Sequence, residues 1–312
     1  MKENINLSSW IITEGMVGTE NQCLGVAQAL GIKPDIMTIG LRQPWKSFSP
    51  WLGFECPASF DQNLNAPWPD LLITSGRKAV AASRYIKKKS GGKTFTLHIQ
   101  DPKVNPNQFD LVSAPFHDGL SGENVIITDA APNKITANLL EVEKEKFSSL
   151  FSSLPSPRIA VLIGGNSRTH ALTKEKTKQL IAQLKSLDAS LMITCSRRTG
   201  TENEKLLRDS LQGNNIYFYD GKAENPYLGM LAWADHILVT SDSVSMISDA
   251  GTTGKPVHLI ELDGSSKRFD TLYNHLKGLN IIRHFDGNLE SWTYEPLSDA
   301  QKIADAVIAK LP

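Results

Sequence analysis

The chain has 312 residues, room for two domains of ordinary size. Its 33 Lys and Arg balance its 33 Asp and Glu, and each half is balanced too: residues 1–150 carry 15 of each sign, residues 151–312 carry 18. That excludes a basic nucleic-acid track and an acidic tail, and a hydrophobic share of 40% excludes whole-chain disorder. No stretch approaches the ~18 apolar residues of a membrane-spanning helix, and Met1–Trp10 lacks the apolar core of a secretory leader. Cys23, Cys56 and Cys195 are odd in number and far apart. They predict neither a disulfide framework nor a zinc knuckle and fit a reducing, cytoplasmic compartment.

In chain order, short apolar runs alternate with helical spacing. Trp10–Thr13 reads as a buried strand, Glu20–Leu30 as a helix, Asp70–Thr74 as a strand, Lys78–Lys88 as a helix. Thr94–Ile99 and Asn124–Thr128 follow as strands. The stretch Phe147–Pro157 is rich in Ser and Pro and separates this series from a second one. There the predicted strands are Arg158–Ile163, Ser190–Thr194, Ile216–Tyr219, His236–Thr240 and Val257–Glu261. Helices are predicted at Thr173–Leu187, Glu202–Leu211, Tyr227–Ala234, Ser243–Gly254 and Ser298–Leu311. The expected fold is α/β: two doubly wound domains, 1–154 and 155–312, with the last helix, 298–311, returning towards the first. Ligands are expected in a cleft at the carboxyl ends of the two parallel sheets.

Loops at those strand ends hold the candidate chemistry. Gly164-Gly165-Asn166-Ser167-Arg168 follows one strand, and its glycines would let backbone N–H groups approach an anion, with Arg168 adding charge. It matches neither a dinucleotide fingerprint nor a P-loop. Ser196-Arg197-Arg198 follows the next strand. Thr240-Ser241-Asp242-Ser243 ends a strand and opens a helix that Asp242 or Ser243 would cap, which directs free N–H groups towards a ligand. Asp249, further along that helix, is placed to reach ribose hydroxyls. In the first half, Gly15, Asn21, Gln22, Ser75 and Arg77 occupy turns at the same kind of edge. Asp101, His117 and Asp118 are the candidate general bases. No metal-ligand spacing is present, which predicts metal-independent chemistry and no cofactor. Residues 44–57 gather aromatics around one lysine. They read either as a flap for a lipid-linked acceptor or membrane surface, or as a loop packed on its own domain.

These motifs together carry a resemblance. Asn21-Gln22-Cys23, Ser75-Gly76-Arg77, Gln100-Asp101-Pro102, His117-Asp118-Gly119, Ser196–Gly200 and Thr240–Met246 resemble the mitochondrial fission "elongated mitochondria" (Elm) family, which has many bacterial members. That family is similar to GT-B glycosyltransferases. Ala234-Asp235, the segment Ser241–Asp249 and Gly254-Lys255-Pro256 look like the donor site of the lipid II N-acetylglucosaminyltransferase class. The resemblance implies a GT-B-like fold of two Rossmann-like domains and a nucleotide-diphospho-sugar as substrate. It places Gly164, Gly165, Arg168 and Ser243 near the diphosphate, and Asp249 where that class carries a glutamate for ribose. The paired glutamates of retaining enzymes are absent, which implies inversion. Compact length suggests a bacterial-type protein, cytoplasmic or at the inner face of a membrane, with an acceptor that includes lipid-linked candidates. Plant Elm proteins act as outer-membrane adaptors, so a catalytically silent scaffold is the second implied class, and a nucleotide-sugar 2-epimerase of the same fold the third.

Overall fold

Both strand series form parallel sheets of six strands in the computed structural model, which describes residues 7–311. Residues 1–6 of the expected non-leader segment lie outside the described residues. The first series contains β1 (Ser9–Thr13), α1 (Val17–Leu30), β2 (Asp35–Thr38), α2 (Trp45–Phe48), β3 (Leu71–Ser75), α3 (Ala79–Lys89), β4 (Phe95–Ile99), β5 (Leu111–Pro115) and β6 (Val125–Thr128). The second contains α4 (Ala137–Lys146), α5 (Ser148–Phe151), β7 (Arg158–Ile163), α6 (Lys174–Lys185), β8 (Ser190–Cys195), α7 (Thr201–Ser210) and β9 (Ile216–Phe218). It continues through α8 (Tyr227–Trp233), β10 (His236–Thr240), α9 (Val244–Thr252), β11 (Val257–Ile260), α10 (Lys267–Gly278) and β12 (Ile282–His284), and the chain closes with α11 (Asp299–Lys310).

The chain folds as two units, Met1–Lys134 with Ser298–Pro312, and Ile135–Leu297. The division differs from the expected 154/155 boundary for a packing reason. Phe147, Phe151 and Leu154 of the Ser/Pro-rich stretch are buried in the second unit. The Phe147 ring lies against Gly229 of α8, and Phe151 meets Tyr217 edge-on at 5.2 Å. Three apolar side chains outweigh the linker-like composition around them.

In the first unit the order is β2-β1-β3-β4-β5-β6. Alternation along the strands sends Ile11, Ile73, Leu97 and Leu111 to one face, where α1 and α11 cover them through Cys23, Val26, Ile303 and Val307. Ile12 and Leu72 point to the other face and pack on α3 and on Leu41, Phe60 and Leu64. Each such side chain contributes about 1.5–3 kcal/mol on burial. α11 is fastened at its start: both carboxylate oxygens of Asp299 accept backbone N–H groups, from Asp129 at 2.9 Å and Ala130 at 2.9 Å.

In the second unit the order is β12-β11-β10-β7-β8-β9. Counted within the unit this is the doubly wound 3-2-1-4-5-6 arrangement, whose order reverses between β7 and β10. Ile159, Val161 and Ile163 of β7 pack on Leu180, Leu184 and Leu207 of α6 and α7. Strands β2, β5 and β12 and helices α2, α4, α5 and α10 were not among the predicted elements. β2 and β12 are short, largely polar edge strands, and β5 is interrupted by Ser113 and ends in a proline. No helix among the described residues is long and apolar enough to cross a membrane.

Candidate anion site and candidate base residues

Ligands of doubly wound sheets bind where the strand order reverses, outside the carboxyl ends of the strands. In the second unit that point lies between β7, which runs into Gly164-Gly165, and β10, which runs into Ser241–Ser243. Asp242 links the two loops. It is 3% exposed, and its carboxylate takes the Thr240 hydroxyl at 2.7 Å and the Gly165 N–H at 3.0 Å. The Arg198 guanidinium pairs with the same carboxylate at 2.7 Å. Thr240 Oγ1 in turn accepts the Gly164 N–H at 2.7 Å. The Asn166 N–H donates to the Arg198 carbonyl at 2.9 Å, and Thr199 Oγ1 donates to the carbonyls of Ile163 and Gly164.

The glycines are needed for this contact. A Cβ on Gly164 would stand 2.1 Å from the Asp242 carboxylate, and one on Gly165 would stand 2.1 Å from the Arg198 carbonyl oxygen. The expected role of the loop is therefore corrected. The N–H groups of Gly164, Gly165 and Asn166 donate inside the protein, because the glycines admit Asp242 and the Arg198 backbone where an anion was expected.

The groups left to meet an anion are the start of α9 and the arginines. Ser243 caps α9 by accepting the Met246 N–H at 3.4 Å, and the first turn of α9 contains no acidic residue. Its leading N–H groups keep the partial positive charge of a helix start. Arg168 and Arg197 are exposed. Ser196 Oγ accepts the Arg198 N–H at 3.1 Å, which shapes the turn carrying both arginines. Ser241 is buried; its hydroxyl accepts the Leu262 N–H at 3.1 Å, and its carbonyl accepts the Tyr273 hydroxyl. Asp249 receives the Tyr227 hydroxyl at 2.9 Å. Burial, reinforced by that carboxylate, holds the Tyr227 phenol protonated well above its usual range. Sequence reading missed Tyr227, Tyr273 and His170, because each acts across a long loop without a local motif. His170 lies 3.3 Å from the Tyr273 hydroxyl, and burial lowers its pKa.

In the first unit the order reverses between β1 and β3. Gly15 turns the chain after β1, and Glu14, just before it, holds the neighbouring turn. Its carboxylate accepts the Lys78 N–H at 2.9 Å and pairs with Lys78 Nζ at 3.0 Å. Glu14 was not among the expected residues, although its place directly before a strand-end glycine was the available signal. Asn21 and Gln22 lie on the first turns of α1, and Gln22 is bonded to Gln100 at 3.1 Å. Gln100 adopts φ +83°, a strained backbone beside Asp101. Ser75 is buried and Arg77 exposed.

Of the candidate bases, Asp101 is engaged with Lys103, by its N–H at 2.8 Å and by its ammonium at 2.6 Å. His117 and Asp118 form a close pair after β5, with Nε2 and Oδ1 3.7 Å apart and side chains 1% and 4% exposed. Among the described residues no group of three His, Cys, Asp or Glu side chains is placed to hold a metal ion.

A family model described as "Mitochondrial fission ELM1" matches residues 17–311. The chain belongs to that family. The ELM1-family protein of Arabidopsis thaliana, named mitochondrial fission protein ELM1, is 25% identical over an alignment covering 99% of this chain and 92% of its own. Among solved structures, the UDP-GlcNAc 2-epimerase of Methanocaldococcus jannaschii superposes with a TM-score of 0.55 at 12% identity, covering 96% of this chain and 99% of that one. The spinosyn forosaminyltransferase SpnP superposes at 0.50 with 11% identity, covering 98% and 90%. At such identities the likeness concerns the fold. It gives this ELM1-family chain a GT-B-like fold of two Rossmann-like domains.

Proposed function

We propose that the second unit binds the diphosphate of a nucleotide-sugar and that the protein transfers the sugar to an acceptor. The observation that carries this reading is the capped start of α9, whose first turn holds no acid, with Arg198 bonded to Asp242 just before it and exposed Arg168 and Arg197 in the loops after β7 and β8, at the point where the strand order of a doubly wound sheet reverses. Two structural neighbours act, by their names, on UDP-GlcNAc and in sugar transfer. Helix N–H groups and arginines would stabilise the diphosphate as it leaves, and Asp249 would hydrogen-bond the ribose. The base is proposed among Asp101, His117 and Asp118. It would take the acceptor hydroxyl proton as that oxygen attacks the anomeric carbon and the bond to the diphosphate breaks, with inversion. The acceptor hydroxyl supplies the nucleophile, and the nucleoside diphosphate departs with the electron pair of the broken bond.

A second reading, a scaffold that recruits a protein partner, is favoured by one specific observation. The glycine-loop N–H groups are satisfied internally, and Asp242 neutralises Arg198, so the site offers less to an anion than its sequence suggested. Thermal denaturation against a panel of nucleoside diphosphates separates the two. A ligand at about 100 times its Kd stabilises by about 2.7 kcal/mol, whereas a scaffold gives no shift with any of them.

A further inference from the structure

The loop between β2 and β3 presents three large apolar side chains to solvent: Phe48 is 60%, Trp51 66% and Phe54 91% exposed. It is not a slack loop. Arg84 of α3 reaches into it and donates to the carbonyls of Pro50 and Leu52 at 2.8 and 2.9 Å, while its guanidinium pairs with Glu55. Trp45 Nε1 donates to the Gly53 carbonyl at 3.2 Å, and the Ser49 hydroxyl donates to the Arg77 carbonyl at 2.9 Å. Between these anchors Phe54 is held at φ +62°, a left-handed conformation that a bulky side chain adopts only under strain. The fold thus fixes an aromatic ring in an unfavourable backbone state and leaves it almost wholly in water, where burial gains nothing. A strained residue held so firmly in solvent points to function.

The charges around the patch indicate what it meets. Arg42, Lys46 and Arg77 are exposed, and Arg77 stands 6.0 Å from the Trp51 ring centre. From 42 to 60 the one carboxylate is Glu55, with its side chain 7% exposed against Arg84. Asp61, just beyond, accepts the Gly40 N–H at 2.9 Å. Glu14, just after β1, is paired with Lys78. Exposed aromatics in a loop that also exposes three cations, with the nearby acids engaged, match the headgroup region of an anionic bilayer.

We propose that this loop is a docking surface for an anionic lipid bilayer, with Phe54, Trp51 and Phe48 entering the headgroup layer and Arg42, Lys46 and Arg77 facing lipid phosphates. The proposal is independent of nucleotide binding. The test is co-sedimentation of the full chain with equimolar phosphatidylcholine and phosphatidylglycerol vesicles, against vesicles of phosphatidylcholine alone. Binding to the anionic vesicles is expected, falling about fivefold for each of Arg42→Gln and Lys46→Gln. Phe54→Gly is the decisive variant, because glycine accepts the left-handed backbone. Its melting temperature should equal or exceed that of the wild type while its vesicle binding falls about five- to tenfold. Unchanged binding by Phe54→Gly, equal binding to both vesicles, or binding to neither overturns the proposal; the last leaves a protein partner for the patch.

Discussion

Asp242→Asn probes how the second unit holds its strand-end loops together. The substitution keeps the shape and replaces one carboxylate oxygen with an amide nitrogen, which cannot accept a hydrogen bond. Either the Gly165 N–H or the Thr240 hydroxyl then loses its acceptor in a site that water does not reach. A hydrogen bond to a buried charge is worth about 1.5–3 kcal/mol, and the orphaned group adds its own desolvation cost. Arg198 also loses its counter-charge, but its side chain is 41% exposed, so solvent limits that loss to about 1 kcal/mol or less. The sum is about 3–5 kcal/mol. At about 2–4 °C per kcal/mol for a unit of this size, the melting transition should fall by roughly 10 °C. Calorimetry reads the shift directly. A fall below about 2 °C would mean that the Gly164-Gly165 loop does not depend on Asp242, and the structural account of the site would fail.

Three further predictions follow from the same contacts. Gly165→Ala forces a Cβ onto the Arg198 carbonyl and should destabilise by about 1–3 kcal/mol in chemical denaturation; an unchanged midpoint contradicts the close approach. His98 is fully buried and bonded to Thr74 Oγ1 at 2.9 Å, and burial lowers its pKa from 6.5 to about 3. The unfolded chain therefore binds a proton that the folded chain refuses between those values. Stability should fall as pH drops through that window, by about 1.4 kcal/mol per unit. His98→Asn should flatten that slope in urea titrations at several pH values; identical slopes refute the assignment. Asp299→Ala removes the acceptor of the Asp129 and Ala130 N–H groups and should raise hydrogen exchange across α11, while unaltered exchange would show that packing alone retains the helix.

The fold was most legible where local pattern and tertiary burial agree. Arg158–Ile163 and His236–Thr240 are continuous apolar runs because their strands are covered on both faces. Asp35–Thr38 was illegible because it lies at an edge and is mostly exposed. Leu111–Pro115 was illegible because its burial comes from β4 and β6 rather than from its own composition. Phe147–Pro157 misled by its serines and prolines, while Phe147 and Phe151 decided its packing. At the site, strand ends marked the right loops, but not what their atoms do. Gly164 and Gly165 signal a close approach, and Asp242 lies in a recognisable strand-end motif, but nothing local shows that the one meets the other, because β7 and β10 are neighbours in the sheet and far apart in sequence. The same holds for Tyr227 and Asp249, whose bond spans two helices.

Calorimetric titration of UDP into the wild type and into Arg168→Ala tests the central claim most directly. Arg168 is exposed and makes no contact that the fold of its unit requires. The account predicts that UDP binds the wild type and that the substitution weakens it by about ten- to a hundredfold, the scale of one charged hydrogen bond to phosphate. Equal affinity in the two proteins, or no heat of binding in the wild type, would contradict it.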